Sequence, residues 1–149
     1  MAIKDTSRKP YIQDNDENVF IGIDLPFRRS NGKEGYFAST STTIEAIKNN
    51  IRTLLNTHTQ ERLMQPNLGI NLRDYLFEQF TDDMVYSIQT DIITLFETWL
   101  PFVEIRDIQI NMSEHDNAVG KNTLNIRIVF NITRDPNTLE SVLVEIGGQ

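Results

Sequence analysis

At Pro101 the spacing of apolar residues changes from steps of three and four to steps of two, and this change constrains the fold more than any other feature of the chain. Beyond it, Val103 and Ile105 alternate with polar residues. Ile108, Ile110 and Met112 then alternate in the opposite phase, which predicts a bulge or kink near Arg106-Asp107. After a turn-rich stretch from Ser113 to Asn122, Leu124, Ile126, Ile128, Phe130 and Ile132 alternate without a break, with only Val129 off the pattern. That is the pattern of an antiparallel strand with one face buried. Asp135-Pro136-Asn137 is expected to turn the chain into a last strand from about Leu139 to Ile146, in which Leu139 and Leu143 oppose Val142, Val144 and Ile146. A strand with apolar residues in both phases can meet something on both faces.

Before Pro101 the period is helical. Thr42-Thr43-Ile44-Glu45 has the spacing of a capping box, and Ile44, Ile47, Ile51, Leu54 and Leu55 form one apolar stripe running to about Thr57. Lys48, Asn49, Arg52 and Asn56 form the polar face. Thr81-Asp82-Asp83 caps a second helix, with Met84, Ile88, Ile92, Leu95 and Trp99 at heptad-like spacing and Pro101 as its stop. Helices first and a small antiparallel sheet last give an α+β fold rather than α/β. Upstream, residues 1–18 are mostly polar and charged, too poor in apolar surface to offset ordering entropy, and are expected to be a flexible N-terminal arm that orders on a partner. Residues 19–149 are expected to be a single domain, since a chain of 149 residues buries enough surface to fold unaided. Val19 to Leu25 reads as an extended segment ended by Pro26, and Ser30 to Gly35 as a loop.

Composition narrows the function. The net charge of −7, with no basic run longer than Arg28-Arg29, argues against nucleic acid as a partner. The absence of cysteine removes disulfides, thiolate nucleophiles and cysteine-ligated zinc, and fits folding in a reducing compartment. No apolar run is long enough for a signal peptide core or a bilayer span, so a soluble protein made in the cytoplasm, with no membrane partner, is expected. His58 and His115 have no metal-ligand spacing and are read as exposed turn residues, and Gly120-Lys121 lacks the rest of a phosphate-binding loop. No cofactor or metal is implied. Trp99-Leu100-Pro101-Phe102 reads first as core packing at a helix end and second as a partner surface.

One stretch has residue choices that neither period explains: Gln60-Glu61-Arg62-Leu63-Met64-Gln65-Pro66-Asn67-Leu68-Gly69. Pro66 fixes its own φ and biases Gln65 towards extended geometry, and Gly69 permits a positive φ or a close backbone approach, so a stiff, shaped loop is expected. Side chains of adjacent residues diverge, so Glu61 and Arg62 are expected to pair with other groups rather than with each other.

An amphipathic helix ending in Asn56-Thr57, then Glu61-Arg62, then Pro66-Asn67-Leu68-Gly69, resembles the baseplate wedge and sheath-initiator family of contractile phage tails. Relatives of that family include the corresponding baseplate component of type VI secretion systems. Ile21 to Phe27 resembles its phage members, and the resemblance extends from about Val19 to Ile146. One departure is Gln60, where many members have glycine. The resemblance implies a non-enzymatic subunit of the virion tail baseplate, assembled in the host cytoplasm. It would dock on the larger wedge proteins through Glu61, Arg62, Pro66 and Gly69 and template the first ring of the tail sheath protein. The strand carrying Val142, Val144 and Ile146 would offer its open edge to the sheath, and tail tube or hub proteins are further partners. Some members carry a lysozyme-like label, so the alternative is a tail-associated peptidoglycan hydrolase. It would need two carboxylates flanking a sugar, for which Glu61, Glu78, Asp82 and Asp83 offer candidates but no signature.

Overall fold

A computed structural model of the chain describes residues 20–30, 36–114, 122–133 and 135–147. The arm expected at 1–18, His115 and Gly120-Lys121 lie outside the described residues. The order of elements is β1 (Gly22–Ile23), β2 (Ser39–Thr40), α1 (Thr43–Asn56), a short 3₁₀ helix (Asp74–Phe77), α2 (Asp82–Trp99), β3 (Val103–Glu114), β4 (Asn122–Ile132) and β5 (Asp135–Gly147). The fold is α+β, with a three-stranded antiparallel sheet in the order β3-β4-β5 and a separate β1-β2 ribbon. No helix among the described residues is long and apolar enough to cross a membrane.

Both helices begin where hydroxyl caps place them. Thr42 Oγ1 accepts from Glu45 N at 3.4 Å and Thr81 Oγ1 from Met84 N at 3.3 Å, each satisfying one of the orphan amides of a first turn. The acids of the two first turns, Glu45 and then Asp82 and Asp83, favour the positive ends of the helix dipoles. α1 packs against β5, α2 against β3, and the 3₁₀ helix against β4. The core they enclose joins Ile51, Leu54 and Leu55 of α1 to Ile88, Ile92 and Phe96 of α2 and to Leu124, Ile126, Ile128 and Phe130 of β4. Burying each of these side chains stabilises the fold by roughly 1.5–3 kcal/mol before entropy is counted.

The phase change in β3 is a register shift between Ile105 and Asp107 against β4. Arg106, at the bulge, donates from Nε to Asn131 Oδ1 at 3.0 Å and pairs through Nη2 with Glu104 at 3.0 Å. Asn131, on the polar phase of β4, is therefore fully buried while hydrogen-bonded. From the helix side, Gln89 Nε2 donates to the Ile108 carbonyl at 3.2 Å, so a side chain occupies part of the main chain of β3.

Two expectations change. Asn49 belongs to the polar stripe of α1 but is buried, because the β1-β2 ribbon lies beside that face; its Nδ2 donates to the Ile23 carbonyl at 3.4 Å and its Oδ1 accepts from Arg52 at 2.9 Å. The final reversal also comes earlier than Asp135-Pro136-Asn137, since Ile132 already pairs with Asp135 and β5 starts there. Pro136 falls in the interruption between the Phe130–Glu140 and Ile132–Asp135 pairs, where the β4-β5 register shifts and a missing N–H need not break a ladder bond.

Candidate functional site

The loop that leaves α1 is built mostly from main-chain hydrogen bonds. Ile70 N donates to the Thr57 carbonyl at 2.9 Å and closes the loop at its base, while Gln60 N donates to the Pro66 carbonyl at 2.7 Å across its middle. Tight turns lie between, with Gln65 N bonding to Arg62 O and Leu68 N to Gln65 O, both at 3.1 Å. Gly69 has φ +107°, and a Cβ there would overlap the Thr57 carbonyl oxygen, so the base of the loop admits glycine alone. Gln60 has φ +70°. This is a left-handed backbone, in which a residue with a Cβ is held at a steric cost.

Asn71 fixes the loop from the other side. Its Oδ1 accepts from Thr59 N at 3.1 Å and from Thr59 Oγ1 at 2.8 Å, and faces His58 Nδ1 at 3.3 Å. His58 is therefore half-buried within the turn rather than the exposed residue the sequence suggests.

Glu61 and Arg62 do not pair with each other. The Glu61 carboxylate accepts from His58 N at 2.9 Å and so caps the turn, whereas Arg62 makes no ion pair or side-chain hydrogen bond among the described residues. Both are exposed. Next to them, Leu63 and Met64 are 97% and 94% exposed, two large apolar side chains held out by a stiff backbone. Their sequence neighbourhood was legible, but their exposure depends on the turns at Arg62 and Gln65 and could not be read from periodicity.

Beside the loop, a groove of about 940 Å³ opens between the loop and α2. Pro66, Ile70, Leu95 and Trp99 give it apolar walls, and Asp74, Glu78 and Asp91 bring carboxylates. Tyr75 donates its hydroxyl to Asp91 Oδ2 at 3.0 Å. Burial first, then this hydrogen bond and the charges of Asp91, Glu78 and Asp74, push the Tyr75 phenol up to about 12. Of the carboxylates considered for hydrolysis, Glu78 alone lines this groove; Glu61 caps its turn, and Asp82 and Asp83 sit exposed in the first turn of α2. Trp99 is half-buried against the core and Leu100 is buried, while Phe102 stays partly exposed.

The remaining nominated residues lie across the molecule on β5. Val142, Val144 and Ile146 point into the core, each almost wholly buried, so their side chains are not a surface. What they hold in place is the strand itself: 13 residues with β4 on one side and no further strand on the other among the described residues. On its outward face Leu139 and Leu143 are 62% and 56% exposed. Glu140 is tied to Lys48 of α1 at 2.7 Å.

A loop of this build after α1, followed by α2 and the start of the sheet, falls within residues 41–137, which match the family of the baseplate wedge protein gp25. The chain belongs to that family. It is a family of structural baseplate proteins of contractile tails. No curated protein matches the chain. Among solved structures, a subunit of the anti-feeding prophage baseplate is similar with a TM-score of 0.59 at 22% identity, over 77% of this chain and 86% of that one. A provisionally assigned tail lysozyme from Geobacter sulfurreducens is similar with a TM-score of 0.56 at 23% identity, over 74% of this chain and 95% of that one. At these identities both likenesses speak to the fold. The β1-β2 ribbon lies ahead of the matched family region.

Proposed function

We propose that this wedge-family chain is a non-enzymatic scaffold of the tail baseplate in the virion, assembled in the host cytoplasm. It docks on the larger wedge proteins through the Glu61–Gly69 loop and offers the open edge of β5 to the first ring of sheath. Residues 19–149 act as one wedge domain, the arm at 1–18 orders on a partner, and tail tube or hub proteins are further neighbours.

The observation that carries this reading is the difference between the two sheet edges. β3 is bulged, bears Glu104, Arg106 and Asp107 as exposed charges, and is bonded by Gln89, all devices that discourage strand addition. β5 has a register irregularity near its start, around Pro136, but from Glu140 to Gly147 it pairs with β4 without a break, with Glu145 as its exposed charge there and Leu139 and Leu143 exposed on its outer face. An added strand on such an edge gains main-chain hydrogen bonds in fixed register and polarity, which is what templating of a ring requires.

The test uses exposed positions, because a proline at Val144 would also disturb a buried side chain. Tails carrying Leu139→Glu with Leu143→Glu are expected to contain folded protein and complete baseplates without sheath; normal sheath on these baseplates would sink the templating reading. For the loop, Arg62→Ala is the cleaner variant, since Glu61 also caps the His58 amide. It is expected to keep the unfolding midpoint and lose co-purification with wedge proteins, and the purified protein is expected to give no turnover on peptidoglycan.

A further inference from the structure

The groove beside the docking loop combines two properties that a merely solvated surface does not need. Its walls include the apolar faces of Pro66, Leu95 and Trp99, and its carboxylates, Asp74, Glu78 and Asp91, are all of one sign. No lysine, arginine or histidine among the described residues lines it. Three carboxylates line one groove with apolar walls, and no cation in its lining offsets their charge.

We infer that this groove receives an amphipathic segment of a larger wedge protein, one that seats an apolar side chain against Trp99 and a lysine or arginine among Asp74, Glu78 and Asp91. The inference rests on the reading that the adjacent loop is a wedge-docking surface and adds the chemistry of what docks there. Charge complementarity selects a basic segment over an acidic one. The apolar wall selects a side-chain-bearing polypeptide over a bare inorganic cation, and no cluster of potential metal ligands is present among the described residues. Tyr75 agrees with the sign of the groove's charge: burial first, and then the hydrogen bond to Asp91 and the charges of Asp91, Glu78 and Asp74, push its phenol up to about 12. The groove is continuous with the loop through Met64, Gln65 and Pro66, so one partner segment can touch both.

Trp99 is the chain's single tryptophan, and its fluorescence therefore reports on the groove. The full chain is titrated with a synthetic amphipathic leucine/lysine helical peptide and with a leucine/glutamate peptide of equal length. The lysine peptide is expected to shift Trp99 emission at low salt, and the glutamate peptide to leave it unchanged. The apparent affinity should fall about tenfold in high salt, as an exposed charge interaction does. Asp74→Asn with Asp91→Asn should weaken the response by a similar factor, while the amide oxygen introduced at position 91 can still accept from the Tyr75 hydroxyl. Glu78→Gln, a single exposed change, should weaken it less. No response to the lysine peptide, an equal response to both peptides, or an unchanged response in the variants would overturn the inference. Co-purified wedge complex separates the two readings. A complex lost in Arg62→Ala but intact and equally salt-sensitive in Asp74→Asn/Asp91→Asn sinks the groove assignment alone, whereas a complex that survives Arg62→Ala sinks the docking loop.

Discussion

In the loop between Thr57 and Ile70, order is carried by the main chain and side chains are what is presented. In β5, order is carried by side chains and the main chain is what is presented. The loop has almost no buried apolar anchor between Thr59 and Asn67; its shape comes from turn hydrogen bonds, two positive φ values and the Asn71 amide. The strand gains its rigidity from Val142, Val144 and Ile146 packed in the core, which leaves one row of peptide groups facing outward. Surfaces of the first kind recognise shape and chemistry residue by residue. Those of the second recognise any extended chain in register and tolerate sequence change.

The difference can be broken at its strongest point first. Gly69→Ala forces a Cβ onto the Thr57 carbonyl at a left-handed φ, and a loss of about 3 kcal/mol is expected in a urea unfolding series. A loss below about 1 kcal/mol would mean that the loop relaxes freely and is not held by its backbone. Val142→Ala removes buried volume under β5 and is expected to cost about 2 kcal/mol, against less than about 0.5 kcal/mol for Leu143→Ala one residue on. Equal effects at the two positions would show that the strand is not organised from one face. The smallest change has the opposite sign: Gln60→Gly relieves a positive φ and is expected to stabilise the protein by about 0.5–1 kcal/mol, read as a higher unfolding midpoint. Destabilisation there would mean that the glutamine side chain contributes something the backbone argument omits.

What the sequence revealed of these regions follows the same division. The strand was legible because periodicity records burial: Leu124 to Ile132, and the phase change beside Arg106, appear in the structure as β4 and a register shift in β3. The helices were legible because Thr42 and Thr81 are caps whose chemistry is local. In the loop, Gly69 and Pro66 announced a shaped backbone, but its consequences depend on bonds between residues far apart in the pattern. Asn71 holding Thr59, and Leu63 and Met64 driven outward, carry no periodic signal. Nor does the acidic groove, whose carboxylates come from the 3₁₀ region and α2 and meet only when those elements pack. Asn49 illustrates the converse error, a polar residue in a polar stripe that the ribbon nevertheless covers.

The bulge and the Gln89 bond on β3 have a consequence beyond that strand. A sheet with two receptive edges is a bifunctional monomer, and copies of it can add end to end into a ribbon of unlimited length. Closing one edge makes the chain monofunctional. Through this sheet, two copies paired β5 to β5 would form six strands ending in the two β3 edges, neither of which favours a further strand. On the proposed reading, one open edge per chain leaves the strand available for a partner while giving this sheet no route to an endless ribbon.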